Sequence, residues 1–172
     1  MDSGPVKIHQ ISATFRSIQT PIGLVVDTLE IEAENAEIES DPFEVRLKKA
    51  GSWKARVEEG AVQMLLEQKA PAELQNVQAT LLEGQVRVTG SVRVLIELSV
   101  EALSHLEIRD GRQLWVALDS VQVAGVGGKS LVEKQIEKIN PILDVNELPF
   151  DLRMNSVTIL PGEIWVEGTV SP

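Results

Sequence analysis

The chain has no cysteine and no tyrosine, and aromatic residues fill only 3% of its 172 positions. Without cysteine there are no disulfides, no thiolate metal sites and no cysteine nucleophiles. Positive charge is also scarce: 16 Lys and Arg stand against 26 Asp and Glu, a formal net charge of −10. Nucleic-acid binding rests on cations that neutralise phosphates, so no nucleic-acid partner is expected. The same sign disfavours wholesale electrostatic adhesion to an anionic membrane surface. No apolar run approaches the roughly 20 residues of a membrane-crossing helix. No basic, apolar and small-residue succession marks a leader peptide. The expectation is a soluble chain, cytoplasmic as the sequence stands or of the cell envelope if a leader has been removed.

What is abundant is Val, Ile and Leu, within a composition that is 43% hydrophobic and 24% charged. That is a globular balance, and the length suits one domain over residues 1–172. Folding at this size buries roughly 70% of the unfolded surface, enough to stand without metal or disulfide. No motif calls for a cofactor. A core rich in β-branched residues favours pleated sheet, where stiff side chains pack against same-face neighbours.

Period-two alternation dominates. Val92, Val94, Ile96, Leu98 and Val100 fall on one face of a continuous run. Val86 and Val88 precede them in the same phase, so one long strand, kinked at Gly90, is expected. Val77, Ala79 and Leu81 lead into a turn at Glu83-Gly84. Leu106 and Ile108 meet Asp110-Gly111, a strong type I′ turn signal, and Leu114, Val116 and Leu118 form the return strand. A last hairpin runs from Leu152 to Ile159, turns at Pro161-Gly162 and returns from Ile164 to Val170. Toward the N-terminus Leu29, Ile31 and Ala33 alternate with glutamates, and Phe43, Val45 and Leu47 mark another strand. Trp53, Ala55 and Val57 mark a short one.

Two segments change period. Ala61, Val62, Leu65 and Leu66 recur at helical spacing between about Glu58 and Ala70, and Pro71 stops them. Val132, Ile136, Ile139 and Leu143 do so after Ser130, which pairs with Glu133 as a capping box; Pro141 ends the regular helix. Strands in blocks, with helices between blocks, describe an α+β antiparallel sheet. Two short helices cannot cover a sheet of about ten strands. The sheet must curl, dimerise or enclose something.

Residues with chemical potential have plain readings beside the functional ones. Ala124 to Ser130 has the look of a phosphate loop, but a Walker A motif needs glycine where Val123 stands. A flexible strand-to-helix turn accounts for it, a lipid phosphate resting on free amides being the other reading. Glu30, Glu32 and Glu34 stand in a row and do not converge as Ca²⁺ ligands must, so a solvated strand face is expected. His9 and His105 are the only histidines; His105 reads as a surface pair with Glu107, and no triad or zinc set is evident. Trp53, Trp115 and Trp165 read first as core, the other reading being a cavity mouth. Met64 reads first as core and second as cavity wall.

The stretch ILDVNELPFDLRMNSVTILPGEIWVEGTV resembles the closing signature of the LmeA-like family of bacterial phospholipid-binding proteins. The match falls on Leu148-Pro149-Phe150, Gly162 and Ile164-Trp165-Val166. The strand-helix-strand unit from Trp53 through Leu66 to Val88, and the second helix, resemble the family's middle section. Together they cover about two-thirds of the chain, the N-terminal third agreeing only as acidic strands. The resemblance implies a tubular lipid-binding type of fold, a strongly curved sheet wrapped around two helices with an elongated apolar cavity. The partner it implies is a phospholipid or similar amphiphile, with transient membrane contact.

Side chains expected to line such a cavity are Val62, Leu65 and Leu66 of the first helix and Ile136 and Ile139 of the second. The sheet is expected to add Val94, Ile96, Leu98, Leu114, Val116 and Leu152. The rival reading is a structural or protein-interaction module with a solid core, oligomerising through its sheet. An enzyme acting on lipid or glycan ranks last, for want of a nucleophile and base.

Overall fold

A computed structural model of the chain describes residues 6–40, 43–93, 96–123, 128–148 and 150–172. The chain begins with three strands, β1 (Val6–Gln19), β2 (Val25–Ser40) and β3 (Phe43–Leu47). β4 (Gly51–Glu58) leads directly into helix α1 (Glu59–Lys69). Four more strands follow: β5 (Leu74–Leu82), β6 (Gln85–Arg93), β7 (Glu97–Arg109) and β8 (Gln113–Val123). Helix α2 (Gly128–Ile139) precedes the two-residue β9 (Leu143–Asp144), a 3₁₀ turn (Val145–Glu147), β10 (Leu152–Leu160) and β11 (Glu163–Val170). This is the α+β class that the alternating blocks imply, mainly antiparallel and strongly curled.

Hydrogen bonding divides the strands into two antiparallel ladders. One has the order β1-β2-β4-β11-β10, with β3 pairing on β2; the other has the order β5-β6-β7-β8-β9. Alternation explains why each strand has an inner face. In β4, Gly51, Trp53, Ala55 and Val57 are buried while Ser52, Lys54 and Glu58 are exposed. β11 answers it with buried Ile164, Val166 and Val170. Each such aliphatic side chain contributes about 1.5–3 kcal/mol by leaving water. The two ladders meet along β10, which lies across the hairpin ends of the second sheet. There the Gly84 N–H donates to the Ile159 carbonyl (3.0 Å), and the Met154 N–H to the Gly111 carbonyl (2.7 Å). One hydrophobic cluster, running from Leu24 through Leu81 and Leu106 to Val170, draws on both sheets.

The turns follow their local chemistry. Asp110 and Gly111 take φ of 53° and 65°, and the Arg112 N–H bonds the Arg109 carbonyl at 3.0 Å. Two left-handed residues in succession are the type I′ requirement.

The expected long strand through Gly90 is two strands. The chain reverses between Arg93 and Glu97, with Val92 opposite Leu98 and Val88 opposite Ala102. Partners in this register share parity, so even-numbered residues face inward before and after the turn. Alternation therefore runs unbroken through the reversal and hides it. Ile96, expected on the concave face, sits at the reversal and is 68% exposed.

The apolar alternation of β1 changes phase, with Val6 and Ile8 at even positions and Ile11, Ala13 and Phe15 at odd ones. β1 is an edge strand paired only to β2 among the described residues, and none of its residues is buried. Ser130 is not the cap of α2, because the helix already begins at Gly128. Lys129 and Glu133 instead form an i,i+4 ion pair at 3.7 Å.

Candidate functional site

The second sheet and the two helices enclose an apolar cavity of about 160 Å³. Its sheet wall is made by alternate positions of β6, β7 and β8, among them Val86, Val88, Val100, Ala102, Leu106 and Leu118. Val26, Ala55, Val57, Ile164 and Val166 of the first sheet close the far end. That end is solid: Val26, Ala55, Val57, Ile164 and Val166 are all buried. The near end is looser, walled by half-buried Ala70, Pro71, Leu74, Val92, Leu131 and Val132. The cavity is thus blind at the first sheet and open between the C-terminus of α1 and the face of α2.

Each helix is fixed to a strand by polar side chains, which leaves its apolar face free to line the void. On α1 the Gln63 amide donates to the Val77 carbonyl (2.8 Å) and accepts the Ala79 N–H (2.7 Å). The Glu59 carboxylate accepts the Leu81 N–H at 2.7 Å. These contacts occupy the outer edge of β5 as a neighbouring strand would. Past the end of α2, the Asn140 side chain accepts the Val116 N–H (2.8 Å) and donates to the Val116 carbonyl (2.9 Å).

Seven of the sequence-derived candidates lie on the cavity wall: Val62, Leu65, Leu66, Leu114, Val116, Ile136 and Ile139. Ile96 does not, being at the exposed hairpin reversal. Leu98 is half-buried beyond the wall, and Leu152 is wholly buried in solid core. Val94 lies outside the described residues. The first-sheet contributions and the α1 terminus were missed, since alternation says which residues share a face and not what that face opposes. Val86, Val88, Val100 and Ala102 do carry a signal, namely the same parity as Val92, Ile96 and Leu98.

Polar groups at the wall are few: Lys69, Thr89, Ser104 and Gln135. Ser104 is satisfied internally, its hydroxyl reaching the Val86 carbonyl at 3.4 Å. Among the described residues, no group of three or more His, Asp and Glu side chains is placed to hold a metal.

Of the other described residues singled out by sequence, Trp53 lies in the core and the rest lie off the cavity wall. Trp53 is core, 3% exposed, and donates its indole N–H to the Arg153 carbonyl at 3.0 Å. Trp115 and Trp165 are half-buried, one beneath the Arg109 guanidinium at 4.0 Å and the other near the Lys54 ammonium at 5.8 Å. Neither lines the cavity. Met64 is exposed on α1. His105 bridges Asp119 (2.6 Å) and Glu107 (3.2 Å). Asp119 is the residue left over by a bulge in β8, which turns its carboxylate toward the ring. That hydrogen bond raises the imidazole pKa above its ordinary value; partial burial opposes the rise and Glu107 adds to it. Glu30 pairs with Lys54 across the acidic face of β2. Ala124–Gly127 lie outside the described residues, and join β8 to α2.

No helix among the described residues is long and apolar enough to cross a membrane. No curated protein and no solved structure matches the chain. A family model described as LmeA-like phospholipid-binding matches residues 7–169. That span contains both sheets but for Val6 and Val170, both helices and the whole described wall of the cavity, and the chain belongs to the LmeA-like phospholipid-binding family.

Proposed function

We propose that the protein binds a phospholipid or similar amphiphile without altering it chemically, holding an acyl chain between the two helices and the concave face of the second sheet. The observation that carries this reading is the cavity, apolar at its blind end but for the internally bonded Ser104 hydroxyl, with Lys69, Thr89 and Gln135 as the other polar side chains of its wall. Each methylene buried there contributes about 0.8 kcal/mol, so a tail needs no specific polar contact to be held. Val62, Leu65, Leu66, Leu114, Val116, Ile136 and Ile139 are the side chains proposed to touch it.

Volume sets a condition on the mechanism. A cavity near 160 Å³ is of the size that accepts a single small ring such as benzene. A full acyl chain needs the walls to part. α2 is the wall held least, with none of its described side chains buried and its packing chiefly on β8. Loading is proposed to displace α2 outward during transient contact with a membrane, and transfer to reverse that step.

Native mass spectrometry of the purified protein, followed by organic extraction, tests the reading. One lipid per chain is expected, and Leu65→Trp or Ile136→Trp should reduce capture at least tenfold by filling the void. A lipid-free protein that also takes up none from detergent would end the proposal. The long edge of β1, unpaired on its outer side among the described residues, favours the rival, a module that associates through its sheet. A lipid-free dimer whose dissociation follows dilution is the result that would establish it.

A further inference from the structure

The open end of the cavity carries one sign of charge. Among the described residues lining it, Lys69 is the single charged side chain; no Asp or Glu lines the wall. Lys69 closes the last turn of α1 and is exposed, with no carboxylate within ion-pair distance among the described residues. It stands where the wall passes from buried aliphatics to solvent, in company with Thr89 and Gln135. Among the described residues, a chain of net charge −10 has thus placed a cation, and no carboxylate, in the wall of a mainly apolar site. An amphiphile whose tail occupies the blind end must leave its headgroup at this rim. A basic residue in the last turn of a helix also complements the helix dipole, but that role needs no place on the cavity wall.

We infer that the ligand's headgroup is anionic, a phosphate carrying net negative charge, and that the Lys69 ammonium pairs with it at the cavity opening. The inference rests on the reading above that an amphiphile occupies the cavity, and it adds the class of headgroup. A zwitterionic choline headgroup brings its own ammonium to the same place and loses by repulsion what its phosphate gains. Charge at a rim contributes modestly, so a preference of about three- to fivefold is expected for anionic over zwitterionic lipid.

The test offers the 172-residue chain an equimolar mixture of phosphatidylglycerol and phosphatidylcholine of identical acyl chains, delivered from non-ionic detergent. Detergent delivery matters because a net charge of −10 repels an anionic vesicle before any lipid is chosen. Bound lipids are read by native mass spectrometry. Wild type should favour phosphatidylglycerol, and added salt should reduce the preference. Lys69→Gln should bring the ratio to about one while total lipid per chain is retained, Lys69→Arg should keep the wild-type ratio, and Lys69→Glu should favour phosphatidylcholine. Lys69 is exposed, so Lys69→Gln should fold as wild type, and unchanged circular dichroism checks it. Equal capture of the two lipids by wild type, or a preference unmoved in Lys69→Gln, overturns the headgroup assignment and leaves the cavity reading intact. Capture of neither lipid overturns both.

Discussion

Trp53 and Gly168 meet in close contact within the first sheet. A Cβ on Gly168 would run into the Arg153 carbonyl and the Trp53 indole, and the bulge beside it leaves Asn155 unpaired in β10. Gly168→Ala should therefore destabilise the protein by about 1–3 kcal/mol, measured by urea unfolding, because neither a strand backbone nor a buried indole can yield cheaply. The glycine's necessity is invisible in sequence, since it depends on a side chain more than a hundred positions away. His105 makes a different kind of prediction. Its pKa is raised in the fold by Asp119 first, so the pair contributes stability in full below the unfolded value, near 6.5, and loses it as pH rises through the raised folded value. The stability gap between wild type and His105→Gln should accordingly be wider at about pH 5.5 than at about pH 8.5. A chemical-shift titration of His105 with its midpoint at or below 6.5 would contradict this.

Elements in this fold depend on polar side chains that imitate backbone. Gln63 and Glu59 occupy the edge of β5, and Asn140 extends β8 past the short β9. A bare edge is a template for unwanted pairing. Gln63→Leu should cost about 1–2 kcal/mol from lost hydrogen bonds and raise the rate of aggregation on warming, seen by light scattering. If stability and scattering both stay at wild-type levels, the edge is protected by something else. Strand and helix positions were largely legible: α1, the Asp110-Gly111 turn and the final hairpin stand where alternation and turn residues put them. The β6–β7 reversal was not, because the pairing register carries one parity through the turn. β1 was not, because its apolar alternation is short and changes phase between Ile8 and Ile11, and none of its residues is buried.

For the molecule as a whole, the blind cavity and its loosely held α2 wall link ligand to stability. A ligand that binds only the folded state stabilises it by mass action, by about 2.7 kcal/mol at a hundredfold excess over its dissociation constant. The melting temperature should rise with added lipid in wild type and stay flat in Ile136→Trp; a flat response in wild type would count against the cavity. Ile96→Ser, remote from the wall, should leave both melting and capture unchanged. The chain's own residue order determined the α+β class, the two helices, most strand limits and seven of the wall residues, because burial of alternate or helically spaced side chains is a local regularity. Tertiary structure alone decided that there are two ladders joined through β10, that Ile96, Leu98 and Leu152 stand off the cavity, and that Lys69 stands on its rim. Those outcomes depend on which face opposes which, a matter of contacts between distant segments that no period along the chain encodes.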